Sequence, residues 1–482
     1  MLPVIVGHNP NRRLDAVFIN SPLKDYDKMP RRNDFTLPVL GLGYIATCAK
    51  QAGFNVGVLD AESFGLGVSA IAKITNAASP RWVGLNLLAP SYRNSLAILQ
   101  NIAGEIQVML GGHQAKAMPE DILADHQIPR IDALVLGEGE TRVEELLRNS
   151  ENRRRLPLVY WRSGEDIKVG RAATSQEENR YLAPDIDKLP FLDRSFFTQD
   201  PFGSEDGRIE ANLVGSRGCP YECSFCGAAK SANPDITIRT RSPENILSEM
   251  EWLSNVHSVR AFRFVDDLFL ASARFMKLCL PHFIESGVAK KWVWDATGRI
   301  NVLANAEDSL LTLVQQAGCR EVALGIESGS AKILKYIDKH IQPEMTYRAV
   351  EALTSRGINV KGYFILGFPG EREEDMDATI GMIHKLWEST ENSAGRFRCS
   401  VFEFRPYPGT PEWDRLIATG RYSKEQLLNY QHIDCTDGGR NVQLIERDEF
   451  NFSVNVQFGD VPVSRIRNEV ARLMQAQKER LC

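Results

Sequence analysis

Gly218-Cys219-Pro220-Tyr221-Glu222-Cys223-Ser224-Phe225-Cys226 sets three thiols at C-x3-C-x2-C spacing, on the loop expected after a strand over Ala211 to Ser216. A structural zinc ion asks for four protein ligands. No further Cys or His stands within a few residues, and Cys279 or His257 could arrive only through the fold. A ferredoxin-type cluster also asks for a fourth cysteine. Three thiolates at Cys219, Cys223 and Cys226 suit a [4Fe–4S] cube that keeps one iron open to a ligand from solution.

Downstream of the motif the chain is regular. Ser242-Pro243-Glu244 caps a helix whose apolar face is Ile246, Met250 and Leu253, and a strand over Ala261 to Val265 follows. Helices ending at Gly287, Gly318 and Gly357 lead into Trp292-Val293-Trp294, Val322-Ala323-Leu324 and Tyr363-Phe364-Ile365. The repeated α/β unit predicts a closed or partly closed barrel over residues 209–410, with chemistry on the loops at the strand ends. After Pro408-Gly409-Thr410 the pattern weakens. Residues 411–482 form a C-terminal region ending in an amphipathic helix over Val463 to Leu481.

Upstream, residues 1–145 alternate short apolar runs with helical stretches, the rhythm of a doubly wound parallel sheet. Expected strands are Leu14 to Asn20, Asn55 to Leu59, Trp82 to Leu88, Gln107 to Leu110 and Ala133 to Leu136. Helices over Leu42 to Gln51 and Tyr92 to Ala103 close at Gly53 and Gly104. Residues 146–208 read as a connector with a small hairpin, Leu158 to Trp161 turning at Ser163 to Asp166, and an exposed tether over Asp185 to Pro190. At 482 residues the chain exceeds one core, and ~150 residues per domain suggests about three domains. The 62 acidic residues outnumber 57 basic ones, so no overall field favours nucleic acid or an anionic membrane. The N-terminus lacks a basic stretch leading into an apolar run, and no apolar run reaches the ~20 residues that span a bilayer. A cytoplasmic protein with reduced thiols is expected.

The cysteine motif, with an aromatic at Phe225 before its last cysteine, resembles the signature of the radical S-adenosylmethionine superfamily. The resemblance implies a partial (β/α)6 barrel in which the open iron chelates S-adenosylmethionine. One electron then cleaves the sulfonium to a 5′-deoxyadenosyl radical that abstracts hydrogen from a small-molecule substrate. It also implies a one-electron donor such as flavodoxin or ferredoxin. Phe264-Val265-Asp266-Asp267-Leu268-Phe269, Gly325-Ile326-Glu327-Ser328-Gly329 and the run Gly362 to Glu371 fall at barrel strand ends of that family. Phe225, Asp266, Asp267, Glu327, Ser328, Gly367 and Glu371 are therefore expected around S-adenosylmethionine. Arg299 is expected at its methionine carboxylate or in a surface salt bridge.

The first domain resembles the cobalamin-binding domain of the B12-dependent branch. Leu37 to Tyr44 looks like the entrance to its first helix, Val108 to His113 and Leu136 to Thr141 like its fourth and fifth strand ends. Gly41, Gly111, Gly112, Gly137 and Gly139 would let backbone approach a flat ligand, and His113 would either meet a corrin side chain or stay solvated. The histidine that many corrinoid proteins place on cobalt is missing between Ser21 and Asp34, so either the cobalt is held without it or the domain has lost its cofactor. Gly41-x-Gly43-x-x-Ala46 with Asp60 also mimics a dinucleotide fingerprint, but Pro38 interrupts the strand that should precede it.

Two functions stay open. One is cobalamin-dependent methyl transfer in natural-product tailoring; the other is radical dehydration, epimerisation or rearrangement of a sugar-like substrate. Methylthiotransfer is disfavoured because only Cys48 precedes the motif, and an iron–sulfur sensor would leave the strand-end motifs without a role. Tyr407, Trp413 and Cys435 are candidates for the substrate pocket.

Overall fold

The five apolar runs of the first domain become parallel strands, β1 (Ala16–Asn20), β2 (Val56–Asp60), β3 (Trp82–Asn86), β4 (Gln107–Gly111) and β5 (Ala133–Val135), ordered β2-β1-β3-β4-β5. The computed structural model describes residues 4–29, 36–203, 207–233, 238–432 and 452–481. Apolar clusters cover both faces of this sheet. Burial on both sides is why β1 and β2 are buried along their whole length instead of alternating. Strand order reverses at β1, which opens a crevice at the carboxyl ends of β1 and β3. The hairpin of the connector, β6 (Val159–Ser163) and β7 (Asp166–Val169), extends this sheet antiparallel to β5.

Two local expectations are corrected. The second helix covers Tyr92–Leu99 and stops short of Gly104, where Asn101 turns its amide back onto the Ala97 carbonyl. Asp185 to Pro190 is no free tether. Ile186 is buried, and Asp187 accepts the Ser242 N–H at 2.9 Å, fastening the connector to the first barrel helix.

The second sheet comprises β8 (Phe202–Gly203) and β9 (Ile209–Leu213), then β12 (Ala261–Phe264), β13 (Val293–Gly298), β14 (Cys319–Glu327), β15 (Asn359–Leu366) and β16 (Phe397–Glu403). Between β9 and β12 lies a separate ribbon of β10 (Ser216–Arg217) and β11 (Arg239–Thr240). The order β16-β15-β14-β13-β12-β9-β8 leaves six parallel strands in a partial barrel, with β8 antiparallel at the edge. The first barrel strand ends at Leu213, earlier than expected, because Gly215 and Ser216 turn to hydrogen-bond Asp266. Gly287, Gly318 and Gly357 all take left-handed φ, as the chain reversals after their helices require. The helix Val463–Leu481 packs on β16. Its Gln477 accepts from the Cys399 N–H at 2.7 Å and the Trp387 indole at 2.9 Å, and Ile466, Val470 and Leu473 join the barrel core. The C-terminal region also carries a two-stranded ribbon, β17 (Gln431–His432) with β18 (Phe452–Ser453). Among the described residues no helix is long and apolar enough to cross a membrane.

Candidate active site

The cysteine loop leaves β10 through Gly218, whose φ of +89° only glycine takes readily. It is anchored by backbone on two sides. Ser224 N–H donates to the Ile337 carbonyl at 3.0 Å, and Glu412 N–H donates to the Ser224 carbonyl at 2.8 Å. Cys219, Cys223 and Cys226 are free thiols, Cys223 the most buried. Among the described residues no three ligating groups crowd together as they would on a single metal ion. A cube takes one thiolate per iron, so its cysteines spread over a face; Cys223 is close enough to act electrostatically on both Cys219 and Cys226. Burial pushes the Cys226 thiol up to about 11 and raises Cys219. Loading a metal must therefore displace protons.

Strand ends supply the surroundings. Asp266, at the end of β12, accepts from the Gly215 N–H at 2.7 Å and the Ser216 hydroxyl at 3.0 Å, and Asp267 accepts from the Gly218 N–H at 3.2 Å. Both carboxylates thus shape the approach to the cysteine loop. Glu327, left-handed at φ +66° after a register shift in β14, pairs with Lys339 Nζ at 2.6 Å, and both charges bear on Cys226. Arg299 Nη1 donates to Cys223 Sγ at 3.3 Å. Phe225 meets the edge of Phe368 with ring centroids 5.5 Å apart. The fold thus gathers Phe225, Asp267, Arg299 and Glu327 around the thiols. Ser328 and Glu371 each meet protein partners, and Glu371 keeps one buried oxygen without a partner. The Ser328 hydroxyl is spent on Thr379 at 3.0 Å and on the Ser330 N–H, and fully buried Glu371 accepts the Gly367 N–H. Trp413 is core, packed with Phe368 and Phe404, whereas Tyr407 is exposed and stacked on Tyr430. Cys435 lies outside the described residues.

Burial raises Asp266 and Glu371 to about 7. A carboxyl with a higher pKa folded than unfolded binds protons on folding. Its contribution to stability is full below about pH 4 and is lost as pH rises to about 7. The apo-chain should therefore lose stability between pH 5 and 7 relative to Asp266→Asn, measured by urea unfolding at each pH. Parallel curves for the two proteins would contradict the assignment.

The first domain presents its strand ends to the same loop. Arg217, one residue before Gly218, reaches Glu138 and Glu140 beyond β5, each at 2.7 Å, and lies over the Tyr44 ring. Arg239 of β11 also pairs with Glu138. Lys116 reaches Asn233 at 2.9 Å, and the Asp267 charge acts on His113. These cross-domain partners escape a reading of local motifs, although Glu138 and Glu140 flank the expected Gly139. The glycines do different jobs. A Cβ on Gly112 (φ +96°) would lie 2.3 Å from Asn86 Oδ1 and 2.7 Å from the Leu87 carbonyl, so the turn itself already requires this glycine. Gly139 packs on Ile45, and Gly111 sits beside the Val135 carbonyl. Gly41 is exposed with open space around it, Gly137 is left-handed at φ +89°, and His113 is exposed. Gly43 lies inside the helix Leu40–Gln51 against Phe197, which is not the strand-to-helix turn of a dinucleotide site.

Residues 213–383 match the model of the radical SAM superfamily, and residues 33–147 that of the B12 binding domain. The chain is a radical S-adenosylmethionine protein with an N-terminal B12-binding domain. It is 29% identical to an uncharacterized methyltransferase of Pyrococcus horikoshii, over 83% of each chain. It is 26% identical to the cytidylyl-2-hydroxyethylphosphonate methyltransferase of Streptomyces wedmorensis, over 89% of this chain and 86% of that one. The fold is similar to that of TsrM from Kitasatospora setae, a radical S-adenosylmethionine methyltransferase solved with cobalamin and a [4Fe–4S] cluster. That match has a TM-score of 0.60 and 17% identity, and covers 89% of this chain and 78% of that one.

The cofactors of these domains are a [4Fe–4S] cluster, S-adenosylmethionine and cobalamin, and the residues present fit them. The radical SAM domain offers three free thiols on a backbone-anchored loop, with a buried Arg299 Nε that has no partner. The B12-binding domain offers a crevice edged by open Gly41, left-handed Gly137 and exposed His113.

Proposed function

We propose that the protein is a cobalamin-dependent radical S-adenosylmethionine methyltransferase that acts on a small metabolite in natural-product tailoring. The observation that carries this reading is the pin from Arg217 to Glu138 and Glu140, which ties the carboxyl ends of the B12-binding sheet to the first residues of the cluster loop. The crevice that would hold a corrin is thereby tied to the loop that would hold the cluster. The two relatives named as methyltransferases, each matched over more than four fifths of both chains, support the same reading. When bound, the cluster supplies the electron that cleaves S-adenosylmethionine, and cobalamin carries the methyl group.

The chain's own residues bind and orient. Cys219, Cys223 and Cys226 hold the cluster. Asp267 fixes Gly218 at the start of the loop, and buried Asp266 fixes Gly215 and Ser216 before it. Phe225, Glu327 and the Gly367 turn border the nucleoside. Gly41, Gly111, Gly137 and His113 line the corrin. The domains follow the boundaries 1–145, 146–208, 209–410 and 411–482.

Anaerobic reconstitution with hydroxocobalamin, reductant and S-adenosylmethionine tests the proposal. Corrin absorption should stay with the protein at one per chain, and S-adenosylhomocysteine should form only when cobalamin is supplied. 5′-Deoxyadenosine without corrin retention or S-adenosylhomocysteine would overturn methyl transfer in favour of a non-methylating radical reaction. Gly41→Leu adds bulk where the protein itself leaves room. It should leave the melting temperature unchanged or raised while weakening corrin retention at least tenfold; unchanged retention would place the corrin elsewhere.

A further inference from the structure

Arg299 is positioned by three contacts that leave its guanidinium little freedom. One nitrogen donates to the Cys223 sulfur at 3.3 Å, the other terminal nitrogen donates to the Lys339 carbonyl, and Cζ lies over the Tyr221 ring, 3.9 Å from its centroid. The residue is 6% exposed. Tyr221 belongs to the cysteine loop itself, so loop and guanidinium brace one another. The burial excludes a surface salt bridge, and the two terminal nitrogens are engaged while Nε has no partner.

We propose that Arg299 is a positioning residue for the cluster, donating a charge-assisted hydrogen bond to the Cys223 thiolate and raising the cluster's reduction potential. The inference rests on the reading of Cys223 as a cluster ligand. Hydrogen bonds to ligand sulfurs and nearby charge are among the terms that set the potential of an iron–sulfur cluster. Reduction adds one negative charge to the cluster, and a fixed cation 3.3 Å from a ligand sulfur stabilises that added charge more than the oxidised state. A guanidinium cannot give up its proton at any working pH, so the effect is permanent. Stacking on Tyr221 and the bond to Lys339 supply the rigidity that a long side chain otherwise lacks. Arg299 is also the residue after the end of β13, so its backbone is fixed by the barrel wall.

The test uses the full chain, reconstituted with iron and sulfide, as wild type, Arg299→Met, Arg299→Lys and Tyr221→Leu. Iron and sulfide content is measured first, then the cluster's reduction is followed by electron paramagnetic resonance in a redox titration. Arg299→Met should keep its cluster and need a more negative potential, with the ratio of reduced to oxidised cluster at a fixed poise falling about tenfold, which is 59 mV for one electron. Arg299→Lys and Tyr221→Leu should shift it in the same direction by less. Two results would overturn the proposal. One is an unchanged potential in cluster-replete Arg299→Met, particularly if S-adenosylmethionine binding weakens strongly, which would return Arg299 to the methionine carboxylate. The other is loss of the cluster in all three variants, which would make Arg299 a folding residue of the loop. Failure of the wild type to take up four irons would instead sink the cluster reading itself.

Discussion

Alanine at any one of Cys219, Cys223 or Cys226 is expected to abolish S-adenosylmethionine cleavage while leaving the apo-protein folded. The two halves of this expectation have separate causes. The loop is held by backbone bonds from Ser224 to Ile337 and from Glu412 to Ser224, and none of these needs a thiol. Removing a sulfur therefore costs the fold little. On the proposed ligand set of three thiolates, the loss of one leaves two irons of the cube without a protein thiolate. Iron and sulfide should fall well below four per chain in each variant, and 5′-deoxyadenosine should fall below detection, with thermal unfolding within a few degrees of the apo wild type. A variant that keeps a stoichiometric cluster would mean that another residue ligates the cube.

The parts of the fold that were legible in the sequence are those set by local chemistry. β1 to β5 are short apolar runs because both of their faces are covered, and each barrel helix that stops at Gly287, Gly318 or Gly357 does so because a left-handed residue is needed there. β16 breaks that rhythm. Its half-buried Arg398 and buried polar Ser400 interrupt the apolar Phe397, Cys399 and Val401, and Arg398 is balanced by Glu321 two strands away. A polar residue in a barrel strand reads as a loop until its partner is known.

The site follows the same division. The three cysteines announce themselves by spacing, and Asp266, Asp267 and Glu327 by their place at strand ends. Lys339 does not. It lies in Ile337-Asp338-Lys339-His340-Ile341 with no motif around it, and only the fold brings it 2.6 Å from Glu327. Arg217 is similar, since its partners Glu138 and Glu140 are 79 and 77 residues away. Gly112 shows a different division. Its glycine was legible, but the crowding by Asn86 of β3 and by Leu87 that demands it was not. Sequence spacing identifies which residues are unusual; the contact that makes each one necessary is tertiary.

Glu327 carries the second large effect, and the pair it forms changes what its replacement reports. Glu327 and Lys339 are 8% and 6% exposed in their side chains, and the pair lies directly over Gly325, where a Cβ would fall 2.4 Å from Glu327 Oε1 and 2.8 Å from Lys339 Nζ. Glu327→Ala leaves a buried ammonium without a counter-charge. Breaking such a pair from one side costs roughly 3–5 kcal/mol, which for a barrel of this size lowers the melting temperature by roughly 6–20 °C. A weaker affinity for S-adenosylmethionine in that variant would therefore mix instability with a lost contact. Removing both charges separates them. Glu327→Gln combined with Lys339→Met has no stranded ammonium and should recover most of the stability. If Glu327 also touches the nucleoside, the double variant should still bind S-adenosylmethionine roughly 5-fold to 150-fold more weakly, the loss of one hydrogen bond of about 1–3 kcal/mol, with its cluster intact. Wild-type affinity in a stable double variant would confine Glu327 to holding Lys339 beside Cys226. A double variant as unstable as Glu327→Ala would show that the stabilisation comes from the strand-end turn at φ +66° and not from the ion pair.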